Sequence, residues 1–247
     1  MGCDAGRIHT NRGFFALSKL ECGGEGGDFR YSRIRCARRK SCAVCHYNSD
    51  MADSLYLSLW FPAFEEPEIL PRTVDVLRQF PFSARHPGVT YVAVQPVSWT
   101  EPTILEQRFQ PGIAPEQAAG VAAELLHEDY AYVFEAYWDL WSPSQGGGRW
   151  VEAPTLVRFV AQGAQFEEGA AAETGHIQVD FGLDAPFLHE ELALTAEAEE
   201  HVRNSVHKLV EFTALVEKKA GATGRLLWSE SEENLAQKLI ARLQKVN

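Results

Sequence analysis

The chain has 247 residues, 45 % of them hydrophobic, and a formal net charge of −11. That is enough apolar material for one sizeable core, and too acidic a balance for general binding to phosphate backbones, so no nucleic-acid partner is expected. No run of about 18 apolar residues occurs, which leaves no expected membrane span, and the opening residues lack the apolar stretch of a secretory signal, so a cytoplasmic setting is expected.

The first fifty residues differ in kind from the rest. They hold nine Lys/Arg against five Asp/Glu, while the remainder holds 14 against 29; all five cysteines precede Met51, and all 12 prolines and all six tryptophans follow it. Cys42-Ala43-Val44-Cys45-His46 has the spacing of a covalent haem attachment site, a chemistry of exported proteins. Zinc is the alternative, with Cys36, Cys42, Cys45 and His46 as ligands, although Cys22 is too far from Cys36 to make a second tight pair. A redox dithiol at Cys42 and Cys45 would need a strand feeding a helix, and "RIRCARRKSCAVCH" has no such pattern. The compositional break is better explained by a start of translation at Met51. Residues 1–50 are then a spurious or disordered extension without a cofactor, and 51–247 form one α+β domain.

From Met51 the elements follow in order. "SLYLSLWF" alternates strictly, with Leu55, Leu57, Leu59 and Phe61 on one side and Tyr56, Ser58 and Trp60 on the other, which predicts a half-buried strand. Ile69 to Phe80 has helical spacing, with the regular helix expected from about Pro71. "GVTYVAVQPVSW" predicts a second strand, limited by Pro96 to an edge, a bulge or a strand end. Residues 100–114, with Pro102 and Pro111, read as a loop, and Pro115-Glu116 open a helix.

Residues 130–141 and 149–163 predict a β-hairpin around the glycines of "SPSQGGG", and 175–184 predicts a third strand beside it. Leu192 to Ala220 predicts the longest helix, stopped by Gly221. "GRLLWSE" predicts a short strand, and a last helix follows with Ser231 as its cap, Glu232 and Glu233 at its positive end, and Arg242 and Lys245 at the other. The expected fold class is α+β, a mainly antiparallel sheet with helices packed on one face.

Motifs are sparse. G-x-S-x-G, G-x-x-x-x-G-K-[ST] and G-x-G-x-x-G are all absent. "HEELA" at 189–193 falls short of the helical zinc-protease pattern, because Ala193 stands where the second histidine belongs. His201 and His207 are six positions apart, off alignment on a helix, and read as solvated.

Strand alternation supplies the candidate site. Glu135 and Asp139 share a face of one strand, His176 and Asp180 share a face of another, and Arg158 lies on the strand expected between them. As neighbours they could set an acid and a base around a polar ligand, although the wet side of any antiparallel sheet alternates in the same way. Trp60, Trp138, Trp141 and Trp150 are candidates for an aromatic binding patch. Two function classes result. The preferred one is a non-catalytic binding protein with a basic protein partner, signalled by a shallow face with exposed tryptophans. The other is an enzyme built on the polar strand face, signalled by a deep pocket.

Overall fold

The computed structural model describes residues 53–144, 149–189, 195–229 and 235–244, all within the compact unit Tyr47–Asn247. Alternation organises the first element. Leu55, Leu57 and Leu59 of β1 (Ser54–Trp60) have no solvent exposure, while Tyr56 on the opposite side is half-exposed. A single 3-10 turn (Glu66–Glu68) leads into α1 (Ile69–Leu77), which starts two residues before Pro71. Pro71 is tolerated there because the amides of a first helical turn have no intrahelical acceptor to lose.

Next come β2 (Val89–Pro96) and β3 (Leu105–Ile113), then α2 (Pro115–Ala122) with a trailing 3-10 turn. The expected loop over 100–114 is thus largely a strand. Its burial does not alternate, and Pro111 cannot donate to a ladder, but β3 lies at the sheet edge, where a missing donor costs no pairing. Pro96 ends β2, an interior strand.

The hairpin β4 (Tyr130–Pro143) and β5 (Trp150–Gln162) pairs along its whole length, from Ala131 with Gln162 to Pro143 with Trp150. A 3-10 turn (Phe166–Gly169) and the short α3 (Ala171–Thr174) precede β6 (Ile177–Leu183). The short α4 (Ala185–Leu188) precedes α5 (Ala196–Ala220), where Thr195 accepts the Ala198 N–H as N-cap and Gly221, at φ +75°, ends the helix. That start is later than the expected Leu192. The chain closes with β7 (Gly224–Ser229) and α6 (Leu235–Leu243).

The sheet order is β3-β2-β4-β5-β6-β1-β7, with every neighbouring pair antiparallel. The α+β class is as expected. α1, α2, α4, α5 and α6 cover one face, where Phe134, Trp138, Phe159, Val179 and Phe181 meet Val74, Leu77, Phe187, Val206, Leu209 and Phe212. Among the described residues the other face carries no long helix. A smaller cluster of Ala93, Ala131, Val133, Val160 and Phe166 lies there. No helix among the described residues is long and apolar enough to cross a membrane. The start at Met51, the candidates Cys36, Cys42, Cys45 and His46, and the cap Ser231 with Glu232 and Glu233 all lie outside the described residues.

Candidate functional site

Because side chains alternate along a strand, each residue that sends its neighbours into the helix-covered core sends its own side chain to the open face. Phe134 and Ala136 point inward around Glu135, Val157 and Phe159 around Arg158, and Val179 and Phe181 around Asp180. The register then aligns these outward residues across the sheet. Arg108, Tyr91, Glu135, Arg158, Asp180, Tyr56 and Trp228 are successive Cα partners on β3, β2, β4, β5, β6, β1 and β7. They form one rung, spanning roughly 29 Å at the usual strand spacing.

Neighbours in the rung interact. The Arg158 guanidinium donates through Nε and Nη2 to the same oxygen of Glu135, at 3.2 and 2.9 Å. The Arg108 guanidinium lies 4.6 Å from the centre of the Tyr91 ring, and its Nη2 is 3.8 Å from Glu106. Tyr56 and Trp228 stack at 4.7 Å. Burial, reinforced by the nearby Glu106 and Glu135 charges, raises the Tyr91 phenol above its ordinary value, so it stays neutral and able to donate.

Backbone irregularities flank two members. Between the pairs Ser54–Leu183 and Tyr56–Asp180 the β1–β6 register shifts, and Gly182, at φ +74°, donates its N–H to Asp180 Oδ1 at 2.8 Å. The ladders of β2 with β3 and β4 shift between Val89 and Tyr91. Bulges of this kind redirect side chains beside sites.

The next rung has an apolar centre, Ala93, Val133 and Val160, and then Gln178. Together the two rungs line an open concavity of 460 Å³, with Gln95, Thr103 and Trp99 at its margin. Trp99 packs edge-on against Phe166 and donates its backbone N–H to Glu167 Oε1 at 2.6 Å, so the turn after β5 holds the wall.

Of the expected site, Glu135, Arg158 and Asp180 come together in this concavity. Asp139 and His176 do not join its lining. Asp139 shares the face but is paired with Pro154, two alternations beyond the Glu135–Arg158 pair. It accepts from Ser83 Oγ at 2.8 Å and the Ala84 N–H at 3.2 Å, tying down the turn before β2. His176 precedes β6, and its Nδ1 accepts the Phe61 N–H at 3.0 Å while the ring stacks on Phe64. Burial lowers its pKa, so the ring acts as a neutral structural acceptor with its proton on Nε2. Gly175 before it has φ +103° and lies tightly against Leu59 and Ser58, so a side chain there would be strained.

The four candidate tryptophans form no common patch. Trp138 is fully buried and belongs to the core rather than to a surface, because its strand position faces the helices. Trp60 is half-buried and donates to the Ala172 carbonyl. Trp141 and Trp150 stack on His201 at 3.9 and 5.8 Å, which also makes His201 half-buried instead of solvated. The tryptophan in the rung is Trp228, and Trp99 lines the concavity. Trp228, Tyr56, Tyr91 and Arg108 were not singled out from the sequence, since only the register of β1 with β7 and of β2 with β3 places them in line. Among the described residues no group of three or more His, Cys, Asp or Glu could hold a metal ion. No family model matches the chain, and no curated protein or solved structure does either.

Proposed function

We propose that this protein is a non-catalytic binding protein that receives a protein partner on the face of its sheet opposite the long helices. The observation that carries the reading is the rung itself, seven side chains in register across all seven strands beside an apolar floor, all but Glu135 at least partly exposed. Arg, Tyr and Trp dominate that row, and these residue types concentrate binding energy at protein interfaces. Its length of roughly 29 Å suits a contact of about 800 Å² per partner. Small-molecule sites, by contrast, usually enclose most of their ligand, and this concavity is partly open to solvent with a half-exposed Trp99 in its lining. The carboxylate of Glu135 is engaged by Arg158, and the histidine and second aspartate that an acid–base scheme would use are engaged elsewhere.

Site-specific photo-cross-linking tests this. A photoreactive residue at Gln178 or Thr103, both in the concavity, is expected to trap one stoichiometric protein in the native cell. The same residue at exposed Val210 on α5 is expected to trap none of it. Equal labelling from Val210, or no product from either face position, overturns the proposal.

A further inference from the structure

We infer that the partner presents a basic segment to this face, and that one of its arginine or lysine side chains seats at Asp180 against the Tyr56–Trp228 stack. The inference rests on the reading of the open face as an interface, and it specifies the occupant.

Charge matching along the rung is the first argument. Arg158 turns its guanidinium to Glu135 at 2.9 Å, and Arg108 lies 3.8 Å from Glu106. Both arginines of the concavity therefore have a carboxylate. Asp180 lines the same concavity and forms no ion pair among the described residues, although Arg158 is its neighbour across the ladder. Its Oδ1 takes only the backbone N–H of Gly182. The unmatched charge on the face is therefore negative, and it lies at the end of the rung toward β1 and β7.

The second argument is an internal precedent. At the opposite end, an aromatic ring and a carboxylate hold a guanidinium, with Arg108 over Tyr91 at 4.6 Å and Glu106 beside it. Asp180, Tyr56 and Trp228 supply the same chemistry, a carboxylate next to stacked aromatic faces. A cation between a carboxylate and an aromatic face gains both Coulomb and cation–π attraction, and a planar guanidinium can stack as well. Leu226, 53 % exposed and paired with Ser58 in the adjacent rung, adds apolar surface for the aliphatic stem of such a side chain.

The third argument is complementarity at long range. From Met51 onward the chain has 29 acidic residues against 14 basic ones, a field that draws basic surfaces in and keeps acidic ones away.

The test uses the full chain with labelled tryptophan indoles, titrated by NMR with a tri-arginine amide peptide, its citrulline counterpart and a tri-glutamate peptide. The arginine peptide is expected to shift the Trp228 indole resonance saturably, and the other two are not. Asp180→Asn, which keeps an acceptor for the Gly182 N–H, is expected to weaken binding at least tenfold. Asp180→Glu is expected to restore most of it, and Glu106→Gln at the far end to change it less than twofold. Citrulline binding as well as arginine, or unchanged affinity in Asp180→Asn, overturns the inference. If that happens while cross-links from Gln178 and Thr103 persist, the face is an interface for a different occupant and this inference alone falls. If the cross-links are absent too, the interface reading falls with it.

Discussion

At the scale of single residues, Glu135 and Arg158 are unequal partners. The Glu135 side chain is 9 % exposed and that of Arg158 is 49 % exposed. Arg158→Met strands a nearly buried carboxylate, and a loss of about 2–3 kcal/mol is expected, below the full value for deeply buried pairs because half of the guanidinium is solvated. Glu135→Gln leaves the guanidinium in water and retains an acceptor, so a loss of about 1 kcal/mol or less is expected. Urea denaturation of both variants checks this, and equal losses would contradict the asymmetric burial. The same attention to partners separates His176 from the site. An imidazole nitrogen that accepts the Phe61 N–H is already used by the fold.

At the scale of elements, the site depends on where ladders are interrupted. The register shift of β1 against β6 places Gly182 at φ +74° with open space around its α-carbon. Gly182→Ala therefore meets no clash, and its expected cost is the left-handed conformation alone, about 1–2 kcal/mol. Because the Gly182 N–H holds Asp180, the variant is also expected to weaken binding of the arginine peptide. A substitution as stable as the parent would show that the bulge relaxes into regular ladder.

Alternation made much of this level legible. The hairpin β4–β5 and the strand β6 were readable because inward positions are apolar and outward ones are not, so Glu135, Arg158 and Asp180 could be assigned to one face. β3 was not readable, because an edge strand with one wet side and Pro111 lacks the apolar period that marks a strand. His176 was grouped with Asp180 because alternation reports the face of a residue and not its partners, and the contacts that engage its ring come from Phe61 and Phe64, more than 100 residues away in the chain.

At the scale of the whole molecule, stability is coupled to pH through a residue far from the rung. Burial, with Arg242 nearby, pulls His189 down from 6.5 to about 4. Above about 6.5 both folded and unfolded chains hold it neutral, and its contribution is complete. As pH falls toward 4 the unfolded chain takes a proton that the folded protein refuses, so stability declines across that window and the contribution is gone below it. His189→Asn removes the titrating ring, and asparagine tolerates the backbone φ of +42° at this position. The variant is expected to lose less stability than the parent between pH 7 and pH 4.5 in denaturant titrations. Identical losses would remove His189 as a source of the dependence.

The sequence by itself determined the α+β class, the acidic field, the helix-facing side of each regular strand and the end of α5 at Gly221, since period, charge and capping are local properties. Only the tertiary structure decided which outward residues share a rung. Strand order and register come from long-range packing of the helices against one face. A shift of two residues in the β5–β6 or β1–β6 ladder would leave every side chain on the same face, yet would move Asp180 away from Arg158 or Tyr56.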